Sequence, residues 1–168
     1  FACSESIVYC RLAADRGSPL AQYIYAKLME NKRIHFNNLP SSLKKNIEEE
    51  EEEFNDNFMN CFLQIRQKNM NTALFYYKLA AKQGLTEAML AIAQLYEKER
   101  NLPFGNMNIN ERDITKKYLV AGSCGNAQAM YIAGQRYAQG IGVPADINQA
   151  LVYFRISAFL GYSTAQYK

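Results

Sequence analysis

Four stretches of the chain place apolar or small residues at steps of three and four, the spacing of one face of an α-helix. Each stretch ends at a glycine, and the four glycines are Gly17, Gly84, Gly125 and Gly161. Seven residues before them stand Cys10, Tyr77, Tyr118 and Phe154, and four before them stand Ala13, Ala80, Ala121 and Ser157. The pattern predicts one helix per stretch, ended by a glycine in the left-handed C-cap conformation.

A second helix is predicted to begin about two residues after each glycine. Four residues after the glycines stand Ala21, Ala88, Ala129 and Ala165. Fifteen residues before the last three glycines stand Asn69, Asn110 and Asp146, which are suitable N-caps for the first helices. Each unit is therefore a predicted helical hairpin. Hairpins bury both faces only by stacking on neighbours, so the sequence predicts an all-α fold, a right-handed α/α superhelix.

The spacing of the glycines divides the chain. Gly125 to Gly161 is 36 residues, Gly84 to Gly125 is 41, and Gly17 to Gly84 is 67. We therefore predict a first repeat at 1–31, an insertion at 32–68, and repeats two, three and a truncated fourth at 69–168.

Three motifs resemble the Sel-one-like repeat (SLR), a relative of the tetratricopeptide repeat. They are Tyr76-Tyr-Lys-Leu-Ala-Ala-Lys-Gln-Gly84, Ala21-Gln22-Tyr23 and Tyr137-Ala-Gln-Gly-Ile-Gly-Val-Pro-Ala-Asp146. The resemblance covers about residues 4–31 and 69–168, and it leaves the loop after Arg100 and the insertion without a counterpart. It implies a scaffold or adaptor role, such as that of the endoplasmic-reticulum ubiquitin-ligase adaptors.

The insertion contains the acidic run Glu48 to Glu53, followed by Phe54, Phe58, Phe62 and Ile65 at helical steps. The apolar stripe predicts an amphipathic helix at about 55–67. Two interpretations of the stripe stay open, packing onto the solenoid or docking another protein. The acidic run is interpreted as a solvated stretch, or alternatively as an attractor for a basic partner.

Composition and charge exclude several classes of function. Nineteen basic residues against sixteen acidic ones give +3, without the clustered basic face typical of nucleic-acid binding. No stretch of 18 uncharged apolar residues exists, so we expect no membrane-spanning helix. The four cysteines form no Cys-x-x-Cys pair and the chain has no Asn-x-Ser/Thr sequon, which together favour an intracellular, cytoplasmic setting. Association with the endoplasmic reticulum is expected only if the parent chain carries a signal. The chain starts at Phe1 and stops at Lys168 inside a predicted helix, so we expect a segment of a longer protein.

Catalytic and cofactor sites are not predicted. His35 is the single histidine, and it lies in a polar loop. Gly140-Ile-Gly142 follows a predicted helix, whereas a phosphate-binding loop follows a strand, so we interpret it as a repeat turn. Asp146 is interpreted as an N-cap, and no acid pair typical of a glycosidase can be assigned among Glu97, Glu99 and Glu111. We expect no catalytic residue, no metal and no cofactor.

The residues eight positions before the glycines are candidates for a partner-binding surface. They are Tyr9, Tyr76, Lys117 and Tyr153. Six residues before three of them stand Arg11, Lys78 and Arg155. In an α/α solenoid the first helices line the concave side, so these columns predict a row of tyrosines beside a basic row. Such a surface would suit an acidic and apolar peptide or helix, although the tyrosines would alternatively pack between repeats.

Three functions are weighed. The first is a non-enzymatic adaptor that binds a partner protein, and the second is a structural subunit docked by the 32–68 insertion. The third is a β-lactam-binding or hydrolysing enzyme, implied by some secreted relatives of this repeat. Those relatives carry cysteines three before and four after the glycine, where this chain has Ala81 and Ala88, for example. Apolar residues such as Phe159 and Leu160 near the C-terminal end further predict that this end either self-associates or is covered by further repeats of the parent chain.

Overall fold

The computed structural model describes residues 4–31, 53–101 and 109–166. Within these ranges all the regular structure is helical. The first helices of the repeats are α1 (Ser4–Asp15), α3 (Glu53–Lys82), α5 (Glu111–Ser123) and α7 (Ile147–Phe159). The second helices are α2 (Pro19–Glu30), α4 (Thr86–Arg100), α6 (Ala127–Gln139) and α8 (Ser163–Gln166). Each helix packs against the next one in chain order, which is the arrangement of an all-α superhelix of stacked hairpins.

The four repeat glycines end the first helices in the same way. Their φ angles lie between 88° and 96°, the left-handed region that a residue with a Cβ disfavours. At Gly125 the amide donates to the carbonyl of Gly122, and the amide of Asn126 donates to the carbonyl of Ala121. The same pair of bonds recurs at the other three glycines, so each turn is a Schellman motif. The predicted glycine caps are confirmed, and each second helix begins two residues after its glycine.

Two of the three predicted N-caps are confirmed. The side chain of Asn110 accepts from the amide of Asp113, and that of Asp146 accepts from the amide of Gln149. The prediction for Asn69 is wrong, because Asn69 lies inside α3.

The predicted helix at 55–67 and the first helix of the second repeat are one continuous helix of 30 residues. Residues 53–82 contain neither glycine nor proline. An asparagine in a helix interior costs only about 0.7 kcal/mol relative to alanine. Nothing in the sequence therefore ends the helix before Gly84. The extension is tied to α4 by Arg66, whose Nη2 lies 2.9 Å from Oε1 of the buried Glu99. The rest of the insertion, including the acidic run up to residue 52, lies outside the described residues.

Successive repeats are joined by a repeated hydrogen bond between a tyrosine and a glutamate. Tyr77, seven before its glycine, donates its hydroxyl to Oε2 of Glu30, thirteen after the preceding glycine, at 2.9 Å. Tyr118 and Glu97 occupy the same two positions one repeat later and bond at 2.5 Å. At the third interface these positions hold Phe154 and Ala138, so hydroxyl and carboxylate are both missing. The sequence changes both members together, as expected for a pair that acts as a unit.

Burial and the nearby glutamates raise the pKa values of the two tyrosine hydroxyls. Burial is the larger cause at Tyr77, followed by the charge of Glu30. Burial is also the larger cause at Tyr118, followed by the hydrogen bond to Glu97. Both phenols therefore stay neutral at ordinary pH and serve as hydrogen-bond donors within the core.

A buried arginine adds a second link at the interface between the second and third repeats. Arg136 is 4% exposed, and its Nη1 lies 2.6 Å from Oε1 of Glu97. Its Nη2 binds Glu111, which also pairs with Arg100, and its Nε donates to the hydroxyl of Thr115 at 2.8 Å. One guanidinium thus connects α6 to both α4 and α5, and its charge is compensated where burial would otherwise be costly.

The Gly-x-Gly-Val motif forms the turn from α6 to α7, as predicted. Gly140 caps α6 in the left-handed conformation, and Gly142 also has a positive φ of 71°. A Cβ on Gly142 would lie 2.4 Å from the carbonyl of Glu111, so the turn sits directly on the backbone of α5. The motif is therefore explained by packing between repeats.

Candidate protein-interaction surface

The predicted row at position −8 does not form one exposed stripe. Tyr9 is 70% exposed, whereas Tyr76 is 8% exposed. The Tyr76 hydroxyl donates to Oδ1 of Asp15 at 2.6 Å, a bond that raises its pKa, and its ring meets Tyr25 edge-on. The structure thus places Tyr76 in the packing between α3 and its neighbours.

The other two members of the row also contact neighbouring helices. The Nζ of Lys117 lies 4.4 Å from the centroid of the Tyr96 ring. Tyr153 is half-buried with its ring 5.1 Å from that of Tyr137, and burial, followed by a hydrogen bond to Tyr137, raises its pKa. A residue at −8 lies about 100° around the helix from the buried residue at −7, which points it to the side of the helix. The alternative of packing between repeats therefore describes Tyr76 and Tyr153 better.

The predicted basic row at position −6 is exposed. Arg11, Lys78 and Arg155 are all exposed, and Arg11 forms a 3.7 Å ion pair with Asp15 one turn later. The structure brings these residues to the same side of successive first helices, with the partly buried Leu119 at the equivalent place on α5. Their role in binding a partner stays a prediction.

Two columns that the sequence reasoning missed carry exposed apolar side chains. Positions −9 and −5 lie opposite the buried stripe, because two residues rotate a helix by about 200°. Six apolar residues in these columns are between 36% and 57% exposed. They are Val8, Leu12, Phe75, Val120, Val152 and Ile156. We call this set the first-helix face.

A signal for the first-helix face was present in the sequence. A solvent-facing helix surface is normally polar, so apolar residues opposite the core stripe of every first helix are a departure from amphipathic patterning. Exposed apolar residues that continue from element to element mark interaction sites more often than scattered ones do. Counting the residues opposite the buried, repeated stripe, as well as those on it, would have found the first-helix face.

A groove opens between α3 and α5, and we call it the α3–α5 groove. Its volume is about 570 Å³, within the range of pockets that bind ligands. The apolar lining comes from Ala81, Met89, Ile92 and Val120. The polar lining comes from Lys78, Lys82, Lys116 and Lys117, with Asp113 as the acidic member. Lys78 and Lys117, predicted from two different columns, therefore meet in one groove.

The lysines of the groove are largely free of compensating charge. Lys116 lies 3.9 Å from Asp113, both largely solvent-exposed, so the attraction is weak. Among the described residues, neither Lys78 nor Lys82 has an ion-pair partner. Lys117 is positioned by its contact with the Tyr96 ring. The groove is thus apolar at its base and positively charged at its edges.

Other chemistry is sparse in the described part of the chain. No group of three histidine, cysteine, aspartate or glutamate side chains lies close enough there to hold a metal ion. His35 lies outside the described residues. None of the helices described combines the length and apolar character needed to cross a bilayer. At the far end of α7, Phe159 is 91% exposed, and its part in self-association stays a prediction.

The Sel1 repeat family model matches residues 63–85 and 127–162, the end of a first helix in one case and a second helix, turn and first helix in the other. Both stretches are therefore similar to the Sel1 repeat. This is the Sel-one-like repeat whose motifs the sequence resembles, so the resemblance is confirmed. The match from residue 63 also agrees with a first helix that begins before Asn69.

Two curated relatives carry stretches similar to this chain. Over 94 residues the chain is 32% identical to DAP3-binding cell death enhancer 1 of Rattus norvegicus, covering 56% of this chain and 17% of the relative. Over 89 residues it is 35% identical to chitin synthase regulatory factor 1 of Schizosaccharomyces pombe, covering 53% of this chain and 19% of the relative. The chain therefore spans less than a fifth of each relative.

Two solved structures share the fold. A Sel1 repeat protein from Oxalobacter formigenes superposes with a TM-score of 0.63 at 19% identity, covering 96% of this chain and 51% of that one. Cysteine-rich protein B of Helicobacter pylori gives a TM-score of 0.50 at 19% identity, covering 57% of this chain and 68% of that one. Sel1 repeats are common in protein-interaction scaffolds, and the curated relatives are named as binding and regulatory factors.

Proposed function

We propose that this chain is a non-enzymatic protein-interaction module, a scaffold or adaptor that binds a partner protein through its first-helix face. The observation that carries the proposal is the exposure of apolar side chains at equivalent positions of α1, α3, α5 and α7. An isolated exposed valine needs no explanation, whereas exposed apolar side chains at equivalent positions of four first helices, interrupted in the −9 column by Lys116, depart from the polar surface expected there. The neighbouring basic residues Arg11, Lys78 and Arg155 supply the polar rim that interfaces usually have.

The buried polar groups support a structural role for the rest of the module. Tyr77, Tyr118 and Arg136 are all committed to bonds between repeats. In the described ranges, every buried side-chain nitrogen or oxygen has a hydrogen-bond partner. A catalytic site usually contains titratable groups held ready in a cleft, and these groups are instead used in packing. Among the described residues, the enzyme alternative therefore has no group to which a reaction can be assigned.

Site-specific photo-cross-linking in cells tests the proposal. A photoreactive phenylalanine analogue replaces Val8, Phe75 or Val152 on the first-helix face, or Gln94 or Gln128 on exposed parts of second helices. We expect light-dependent protein adducts from the three first-helix positions and not from the two second-helix positions. Circular dichroism checks that each variant keeps its helix content.

Two results would overturn the proposal. Adducts of equal yield from Gln94 and Gln128 would mean that the first-helix face has no special role. No adduct from any of the five positions would mean that the face is not used for protein binding. An added position at Lys68 addresses the alternative role as a docked structural subunit, because adducts from Lys68 alone would assign binding to the insertion.

A further inference from the structure

The α3–α5 groove, which shares Val120 with the first-helix face, combines a recess with concentrated charge. Four lysines and one aspartate surround four apolar residues, and the recess lies between helices of two successive repeats. On α5 the groove extends from Asp113 to Val120, which is about 10 Å of helix at 1.5 Å per residue. This length matches two turns of a bound helix or three residues of an extended strand.

We propose that the α3–α5 groove binds a short acidic segment of a partner protein. A large apolar side chain of the segment lies on Met89, Ile92 and Val120, and carboxylates on either side of it meet the lysines. This inference rests on the proposed function, because it names the chemistry of the partner that the first-helix face recognises.

Charge complementarity selects this occupant. The ε-ammonium groups of Lys78 and Lys82 have no ion-pair partner among the described residues, so a carboxylate adds attraction without displacing an existing bond. The ring of Tyr96 already holds Lys117 beside the groove, which lowers the entropy lost on binding. A basic segment would instead be repelled by four lysines at close range.

The apolar base selects against a purely acidic ligand. Met89 and Ile92 are partly buried on α4, and Val120 is exposed on α5, so together they offer an apolar recess with solvent on one side. A glutamate run without apolar residues would leave this recess wet and gain only screened attraction at the rim. A methionine in the lining also adapts its shape to different apolar side chains.

The test uses a phage-displayed library of random 16-residue peptides selected on the whole chain. We expect enrichment of peptides in which Asp or Glu flanks Leu, Ile or Phe. A synthetic peptide of the enriched sequence is then titrated by fluorescence anisotropy against the unmodified chain and its variants, in low and high salt. A polyglutamate peptide of the same net charge serves as the ligand control.

Charge reversal at the groove is matched by charge reversal elsewhere. Lys78→Glu/Lys117→Glu should weaken peptide binding at least tenfold. Lys78→Glu/Lys82→Glu, which leaves the contact of Lys117 with Tyr96 intact, should weaken it by the same factor. Arg16→Glu/Lys27→Glu changes the net charge equally at exposed positions of the first repeat, and it should change affinity less than twofold. Raising the salt concentration should weaken binding to the unmodified chain and have less effect on the groove variants.

Val120→Lys separates the two contributions. The substitution adds positive charge while removing an exposed apolar side chain, so simple electrostatic attraction predicts tighter binding. We expect binding at least fivefold weaker, because the apolar anchor loses its contact. Tighter binding to Val120→Lys, or equal binding of polyglutamate, would overturn the inference.

Failure of this inference can be told apart from failure of the proposed function. Selected peptides that retain full affinity for both lysine double variants would overturn the groove assignment. If Val152→Asp abolishes binding of those peptides, the first-helix face still binds protein and the proposed function stands. If the selection enriches no peptide and the photo-cross-linkers yield no adduct, both proposals fall together.

Discussion

Removing the hydroxyl of Tyr77 tests how successive repeats are held together. Tyr77 is 1% exposed, and its hydroxyl donates to Glu30 at 2.9 Å, while Glu30 also accepts from the exposed Lys98 at 3.2 Å. Tyr77→Phe keeps the ring and removes one bond to a charged acceptor. A hydrogen bond to a charged group contributes about 1.5–3 kcal/mol, and the remaining bond to Lys98 places the expected loss near the lower end, about 1.5–2 kcal/mol.

A double-mutant cycle isolates the pair from its surroundings. Glu30→Ala removes the acceptor, and it leaves Lys98 largely in water, where an unpaired ammonium group is stable. The double variant Tyr77→Phe/Glu30→Ala reproduces the phenylalanine and alanine that the chain itself has at Phe154 and Ala138. If the two residues act as a unit, the single losses should not add. We expect a coupling energy of about 1–2 kcal/mol.

Urea unfolding followed by circular dichroism at 222 nm measures the cycle. For a chain of this size, about 1.5–2 kcal/mol also corresponds to a fall in Tm of roughly 3–8 °C. Ser4→Ala/Ser163→Ala, two changes outside the pair, provides a reference for how well unrelated losses add. A coupling energy below about 0.5 kcal/mol lies within the error of additivity and would refute the reasoning.

Three further perturbations follow from the same structure. Tyr118→Phe should flatten the fall in stability above pH 10, by about 1.4 kcal/mol per pH unit, as read from urea midpoints across the alkaline range. The pKa of Tyr118 is higher in the folded chain than in the unfolded chain, so the stabilisation from its hydroxyl is full below pH 10 and is lost as the pH rises. An unchanged slope in Tyr118→Phe would contradict this reasoning. Arg136→Met should lower the free energy of unfolding by about 3–5 kcal/mol, whereas the exposed Arg155→Met should change it by under about 0.5 kcal/mol in the same urea titration. Gly142→Ala should lower the free energy of unfolding by about 2–4 kcal/mol, because the position has a positive φ and a Cβ there would clash with the α5 backbone. At Gly161 a Cβ meets open space, so an equal loss in Gly161→Ala would show that the clash does not contribute.

The helical hairpins could be predicted from sequence because their signals are local. A glycine in the left-handed conformation and an asparagine or aspartate cap act within one turn of their own helix, so Gly125 and Asn110 could be assigned without tertiary information. The long α3 was missed for a related reason. Asparagine is a suitable residue for an N-cap, but an N-cap requires that the residues before it are not helical. No helix-breaking residue precedes Asn69 in α3.

The candidate site was predicted only in part because its residues are far apart in the sequence. Lys78 and Lys117 were selected from two columns of one alignment, and only the stacking of α3 beside α5 shows that they border the same groove. Tyr76 fits the expected composition of an interface, but its accessibility depends on Asp15 and Tyr25 in another repeat. Sequence columns give the angle around a helix, and they do not say which sides of the helix a neighbour covers.

The division of each first helix into two opposite faces explains how one scaffold can carry a specific surface. The residues at −7, −4 and −3 are fixed by packing, since a change in their volume affects two repeats at once. Positions −9 and −5 point away from the core, so Lys116 can stand where Phe75 and Val152 stand in other repeats without disturbing the stack. We expect substitution there to change the preference for a partner and to leave stability nearly unchanged. In the α3–α5 groove, Lys116 occupies the −9 position that Val8 holds in α1, and Lys82 occupies the −2 position that Asp15 holds there, whereas the positive charge of Lys78 at −6 recurs in α1 as Arg11.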